Sequence, residues 1–384
     1  MPIKQLLLSA ILYLIFVPSS KCQDITQIID SVKVDSLVKY VNELTGEDTI
    51  TIWGYKTVMY NRVNPGNDLA AAYLIEKLKK YDVAITDNRY SSTGRNILAY
   101  QKGTTDSDSC FIVSAHYDAV ITHCADDNAS GTATVLEAVR ILSQYQFKYD
   151  IIYIFWDEEE IGMVGSLNFT EHYNKDTIKI IGAITLDMIG YNTSSNMVFT
   201  IQNNRSFSQV IKDRIVSFSD NYLPSLTPYV QNITYGASDF SSFWLNGINS
   251  TGVSEYNNNP YYHTEDDIVA TFDLEYYGNI SKMVIGVVAE LANSDKHSLS
   301  IDEIDKSFAG FEVYPNPAKD IIQINNSYNT KISLELIDVT GKQWKYVKAS
   351  QTDISLNISG CPAGMYLLVI TTENNRFTKQ ILKY

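Results

Sequence analysis

Several stretches of this 384-residue chain gather side chains that bind cations and move protons. They are His116-Tyr117-Asp118, Asp126-Asp127-Asn128, Asp157-Glu158-Glu159-Glu160, the single Asp187, and Tyr261-Tyr262-His263-Thr264. Imidazole nitrogen and carboxylate oxygen both suit zinc, at ~2.0–2.2 Å. Two histidines and three carboxylates, one of them bridging, can hold two metals ~3.5–4 Å apart. A lone histidine at a strand end is commonly a satisfied polar residue, and an acidic run is commonly a solvated turn; Glu158 is read in that way and given no role. Such signals at successive strand ends are harder to dismiss together. Carboxylates crowded at one sheet edge are unfavourable unless a cation neutralises them.

The elements that must position these residues emerge from hydrophobic patterning. Cys110–Ala115 runs into His116, Ile151–Trp156 into Asp157, and Ile180–Leu186 into Asp187. These runs are apolar on both faces, which indicates buried, largely parallel strands. Asn96–Tyr100 reads as a further strand. Helical spacing predicts helices over Asp24 to about Asp48, over Leu69–Tyr81 with Asp68 as its cap, and over Ala129–Tyr145. Alternating strands and helices predict an α/β fold with a mixed, largely parallel central sheet and helices on both faces. Ligands in such folds sit at the carboxyl ends of the strands, where the acids and His116 lie.

The chain ends differ from this body. Lys4, the apolar run Leu6–Val17 and Pro18-Ser19-Ser20 form a signal peptide over residues 1–22, too short to span a membrane. No later segment reads as a transmembrane helix. Residues 296–310 read as a linker. From Phe311 to Tyr384, short alternating strands separated by turn residues predict a small antiparallel β-sandwich: 321–324, 332–336, 354–356, 366–370 and 377–382. Eight of the 30 Lys+Arg and six of the 44 Asp+Glu fall in this tail, whereas residues 23–310 carry 20 and 38. The acidic body and the overall charge of −14 argue against nucleic acid as a partner. Excess carboxylate fits cation binding, and equally fits surface acidity for solubility. Of four cysteines, Cys22 leaves with the signal, and Cys110, Cys124 and Cys361 form neither a disulfide framework nor a CxxC pair.

His116-x-Asp118, Ala125-Asp126-Asp127-Asn128-Ala129-Ser130-Gly131, Glu159-Glu160-Ile161-Gly162-x-x-Gly165-Ser166, Leu186-Asp187-Met188 and Tyr262-His263-Thr264 resemble, in that order, the M28 family of zinc aminopeptidases. The resemblance covers about residues 31–292 within an expected peptidase domain, 23–295. It implies a zinc aminopeptidase fold with two Zn2+ per chain. It also implies roles: Asp127 bridges, His116 and Asp187 complete one zinc, Glu160 and His263 the other, and Asp118 orients His116. Glu159 is then the general base acting on metal-activated water. Tyr235, in Tyr235-Gly236-Ala237-Ser238-Asp239, falls where some members place an oxyanion-stabilising tyrosine. Phe240 comes where many members have histidine, and a packing role for Tyr235 is as good a reading.

In the tail, Val313-Tyr314-Pro315-Asn316-Pro317-Ala318, Leu336-Ile337-Asp338-Val339-Thr340-Gly341 and Pro362-Ala363-Gly364-Met365-Tyr366 resemble the type A sorting domain of the type IX secretion system. That implies export across the outer membrane of a Bacteroidetes-type bacterium, to the medium or the cell surface, with the secretion machinery as partner. A generic carbohydrate-binding or packing sandwich is the alternative for this tail. For the whole chain the expectation is a secreted aminopeptidase acting on peptides with a free N-terminus. The alternatives are a glutaminyl cyclase, whose single zinc would use Asp127, Glu160 and His263, and an inactive surface-binding module. A carboxypeptidase-like member of the wider clan is a lesser one.

Overall fold

The computed structural model describes residues 24–105, 108–175, 177–294, 311–326, 330–338, 342–372 and 376–383. The expected signal peptide and linker lie outside the described residues, as does Cys22.

Two helices, α1 (Ile25–Asp30) and α2 (Val34–Thr45), replace the single one expected over 24–48. Asp24 caps α1 by accepting the Thr26 N–H at 2.9 Å. The break arises from tertiary pairing: the Lys33 N–H is donated to Glu137 Oε1 at 2.9 Å instead of to a helical carbonyl. A hairpin, β1 (Thr49–Ile52) and β2 (Tyr55–Val58), comes next. Helix α3 spans Asp68–Leu78, so Asp68 sits inside the first turn and is not its cap. Its carboxylate pairs with Arg95 Nη1 at 2.6 Å.

The central sheet has eight strands: β3 (Ala84–Arg89), β4 (Arg95–Gln101), β5 (Ser109–His116), β6 (Asp150–Trp156), β7 (Lys179–Leu186), β8 (Met197–Asn203), β9 (Leu226–Asn232) and β10 (Ser250–Glu255). Their order is β3-β4-β6-β5-β7-β10-β8-β9. The inner strands β6, β5, β7 and β10 are mutually parallel, and antiparallel pairings (β4 with β6, β10 with β8) flank them. β5 and β6 are buried along their whole length, as their apolar runs require.

Helices cover both faces. The main core joins β5, β6 and β7 to α1, α2, α3, α4 (Gly131–Leu142), α6 (Gln209–Tyr222) and α8 (Leu274–Asn293). On the other face Trp156, Ile112 and Ile154 pack with Phe169 of α5 (Val164–His172) and Phe243 of α7 (Phe240–Leu245). Helix α4 is shorter than the expected 129–145, because residues Ala125–Ser130 form a wider turn with non-helical Asp127 and Asn128. That turn carries an acid of the site.

The tail forms two antiparallel sheets. One holds β11 (Phe311–Tyr314), β12 (Ile321–Asn326) and β15 (Asp353–Asn357). The other holds β13 (Ile332–Asp338), β14 (Gln343–Ala349), β16 (Gly364–Thr371) and β17 (Arg376–Lys383). Ile322, Ile324 and Leu356 from the first pack against Leu334, Leu336 and Leu368 from the second, a core separate from those of the body. A small cluster joins the two parts: Leu245 of α7 meets Ile337, Leu367 and Val369, with Leu167 and Tyr235 alongside. Cys110, Cys124 and Cys361 are buried free thiols. Among the described residues no helix is long and apolar enough to cross a membrane.

Candidate active site

Because β5, β6, β7 and β10 are parallel, their carboxyl ends open on one edge. His116 ends β5, Asp157–Glu160 come directly after β6, Asp187 directly after β7, and the loop after β10 brings His263 back over the same edge. The fourth strand end was not apparent from the apolar runs, since β10 (Ser250-Thr251-Gly252-Val253-Ser254-Glu255) is largely polar.

Asp127 stands at the centre. Its Oδ1 lies 3.4 Å from His116 Nε2, which is also 3.4 Å from Asp187 Oδ1. Its Oδ2 lies 3.1 Å from His263 Nε2, itself 3.3 Å from Glu160 Oε2. One carboxylate therefore faces two sets of donors. Two atoms bound tetrahedrally to one zinc at ~2.0–2.2 Å stand roughly 3.3–3.5 Å apart, close to these separations. His116 Nε2 and Glu160 Oε1 have no hydrogen-bond partner, although both atoms are buried. Buried polar atoms left unpaired beside other metal-binding side chains are a mark of a missing ligand. The donor set and its spacing fit zinc.

The turn holding Asp127 is fixed from three sides. Asp267 accepts the backbone N–H groups of Asp126 at 2.9 Å and of Asp127 at 3.1 Å. Asn128 donates to Leu186 O at 2.8 Å and accepts the Gly131 N–H at 3.0 Å, tying the turn to the end of β7 beside Asp187. Asp118 lies 3.3 Å from His116 Nδ1 and accepts the N–H groups of Glu159 and Glu160, both at 3.2 Å. One carboxylate thus sets both the imidazole and the loop after β6. Glu158, Met188 and His263 adopt left-handed φ of 59°, 54° and 58°, a strain that concentrates at functional sites.

The cluster is rich in buried acids and poor in positive charge, and its titration shows it. Burial pushes Glu159 up to about 10, with His116 opposing and Asp239, Asp187 and Asp118 adding. Burial and then Asp127 push Glu160 up to about 8. Asp127 is held down at about 2: burial opposes, but its contacts with His116 and His263 win. Burial works against a charged His116, yet Glu159, Asp118, Asp127 and Asp187 raise it well above its ordinary value.

One sequence reading changes here, and of the two readings of Tyr235 the packing one fits. Glu158 is no solvated turn acid: it is 4% exposed and accepts from Asn64 Nδ2 at 2.8 Å, Thr93 Oγ1 at 2.9 Å and Tyr90 Oη at 3.1 Å. Tyr235 is not brought to the cluster. The cavity beside the acids is walled by Gly236, Ala237 and Ser238, while the Tyr235 ring packs with Leu167 and the Leu245 cluster.

Sequence reasoning gave no role to Asp239 or Asp267. Asp239 is fully buried, accepts Ser166 Oγ at 2.6 Å, leaves Oδ2 unpaired, and is raised to about 7 by burial. Its only signal was an acid heading the buried stretch Phe240–Leu245. Asp267 gave none beyond lying four residues past His263.

Comparison with known proteins agrees with this geometry. The profile of peptidase family M28 matches residues 96–288, half of the chain. The chain belongs to peptidase family M28. Residues 312–384 match the secretion system C-terminal sorting domain. A probable leucine aminopeptidase of Trichophyton verrucosum is 28% identical over 51% of this chain and 56% of its own length. The chain thus spans little more than half of that relative. The Legionella pneumophila LapA aminopeptidase has the same fold, with a TM-score of 0.62 and 20% identity over 70% of this chain and 75% of its own. So does the glutaminyl cyclase of Porphyromonas gingivalis, with a TM-score of 0.53 and 18% identity over 68% of this chain and 99% of its own. The fold by itself does not separate the two activities.

Proposed function

We propose that this M28 protein is an exported zinc aminopeptidase that removes N-terminal residues from peptides. The observation that carries this is the five-donor cluster around Asp127, set at the ends of four parallel strands and opening on a cavity of about 980 Å³. The leucine aminopeptidase named among its relatives supports the reaction class.

In this reading His116 and Asp187 would hold one zinc, Glu160 and His263 the other, and Asp127 would serve both. Zinc so held supplies a Lewis acid and makes water acidic enough to act near neutral pH. Glu159 stands on the cavity wall and is not one of the five donors. It takes a proton from the attacking water and returns it to the departing amine. Asp118 is a positioning residue, holding His116 and the loop that aims Glu159.

The experiment is metal counting with activity. After dialysis against metal-free buffer, elemental analysis should find about two zinc per chain, and chelator should abolish release of N-terminal residues from aminoacyl-anilides. N-blocked analogues should stay intact. A fixed stoichiometry of one, with glutaminyl peptides cyclised, would establish the glutaminyl cyclase reading instead.

The tail serves export in this proposal, with residues 1–22 as signal, 23–295 as peptidase domain, 296–310 as linker and 311–384 as sorting domain. The separate core of the tail supports its folding as a unit. All five donors, Glu159 and the cavity wall lie at or before His263. A chain ending at Asp295 should keep its zinc and its kcat/KM, while in the native host it should stay in the periplasm. Loss of activity in a folded truncation would show that the contact at Leu245 and Tyr235 reaches the site.

A further inference from the structure

Glu159 and Glu160 both stand on the cavity wall, whereas Asp157 and Glu158 do not. Successive side chains of an extended chain point to opposite sides, so two neighbours reach one wall only through a turn. That turn is made at Glu158, whose φ of 59° is left-handed. Few residues other than glycine, asparagine and aspartate adopt this conformation, and glycine holds it without strain. A glutamate there calls for a reason.

Its carboxylate supplies one. Glu158 Oε1 accepts Asn64 Nδ2 at 2.8 Å and Thr93 Oγ1 at 2.9 Å, and Oε2 accepts Tyr90 Oη at 3.1 Å. Asn64 belongs to the segment before α3, and Tyr90 and Thr93 to the turn between β3 and β4. The latter turn is itself closed, since Ser91 Oγ accepts the N–H groups of Thr93 at 3.1 Å and Gly94 at 2.7 Å. Gly94 leaves the space required: a Cβ there would meet the Tyr90 ring at 2.2 Å and Glu158 Oε2 at 2.6 Å. Three donors meeting two oxygens suit a group that only accepts, and glutamine would turn an amide nitrogen toward one of them.

Glu159 needs such support because its own side chain has none. Among the described residues its carboxylate makes no hydrogen bond or ion pair, and only its backbone is held. The N–H is donated to Asp118 at 3.2 Å, and the carbonyl accepts the N–H groups of Gly162 and Met163, both at 2.8 Å. The backbone of the turn therefore sets where the Glu159 carboxylate points. That backbone is clamped twice, by Asp118 through its N–H groups and by the Glu158 side chain through Asn64, Tyr90 and Thr93.

We propose that Glu158 is a positioning residue for the general base: its carboxylate, pinned by Asn64, Tyr90 and Thr93, fixes the turn that aims Glu159 at the attacking water. This rests on the reading of Glu159 as the base.

The test uses the full-length, zinc-loaded chain. Glu158→Gly removes the anchor while its backbone accepts the left-handed φ freely. It should lower kcat about 10–100-fold, the scale of a misplaced catalytic group. KM and zinc content should stay unchanged, because Glu158 neither lines the cavity nor belongs to the five donors. Glu158→Gln should fall between that variant and wild type, and it reads the anchor even where Glu158→Gly fails to fold. Tyr90→Phe should lower kcat in the wild-type chain and add little beside Glu158→Gly, as expected of two residues acting through one contact. In a Glu159→Gln background, Glu158→Gly should lower kcat no further. Wild-type kcat in folded, zinc-loaded Glu158→Gly and Glu158→Gln chains overturns the proposal. So does a loss that appears with lost zinc, which would make Glu160 the residue positioned, and so does an equal loss in the Glu159→Gln background. Wild-type turnover in Glu159→Gln alone overturns the general-base reading instead.

Discussion

Glu159→Gln lowers kcat by about 10²–10⁴-fold or more, the scale of a general base, and leaves the zinc content unchanged. The amide keeps the size and polarity of the side chain but cannot accept the proton of the attacking water. Metal is retained because the donors facing Asp127 are His116, Asp187, Glu160 and His263. The adjacent Glu160→Gln has the opposite signature, because its Oε2 faces His263 Nε2 at 3.3 Å: zinc content falls, and activity falls with it. Steady-state kinetics and elemental analysis on the same preparations separate the two. A Glu159→Gln chain with wild-type turnover places the base elsewhere. Glu158 is a poor substitute, since three side chains already occupy its carboxylate.

The donors were legible because strand ends announce themselves. Runs such as Ile151–Trp156, apolar on both faces, stop abruptly, and the next residues in the chain lie at the sheet edge. His116, Asp187 and the acids after Trp156 could be placed together on that rule alone, while Asp127 and His263 needed the family resemblance. The supports were not legible. Asp267 acts through backbone N–H groups 140 residues away, and Glu137 breaks a helix by accepting from Lys33, 104 residues away. Neither contact leaves a local pattern.

The fold shows the same division. The mixed sheet with helices on both faces was readable because its inner strands are uniformly apolar. β10 escaped because Ser250, Thr251 and Ser254 interrupt any apolar run, Ser250 being buried as it donates to Phe240 O. β14 of the tail escaped because it is an edge strand bearing Lys345 and Lys348, with little apolar alternation. Tyr235, read as equally a site or a packing residue, was left open for a related reason. Its motif position suggested the site, but apolar neighbours on α5, α7 and the tail draw the ring away.

Stripped of divalent cations, the protein should lose thermal stability steadily as pH rises from about 5 to 8, and zinc should remove much of that slope. In the bare site Glu160 is raised to about 8, by burial and then by Asp127, and Glu159 to about 10, chiefly by burial. Unfolded, each titrates near ~4.3. Between those values the folded chain holds protons that the unfolded chain has released. The stability this contributes is complete below the unfolded value and is lost as pH rises toward the folded one. His263 is raised mainly by Asp127, and His116 by the surrounding carboxylates against burial, so both act in the same direction above ~6.5. Asp127, held at about 2, has the opposite sign, but its window lies below ~3.9. Each buried glutamate adds at most ~1.4 kcal/mol per pH unit, so a fall in Tm of about 5–15 °C across the range is expected. Asp157, Asp239 and Asp267, each raised to about 7 mainly by burial, slope the same way. The diagnostic quantity is therefore the zinc-dependent part, read by melting the chelated and zinc-loaded chains at matched pH. Cations let the clustered carboxylates stay ionised in the fold, so zinc should stabilise most at pH 8. Equal slopes with and without zinc would mean that Glu160 and its neighbours do not bind the metal.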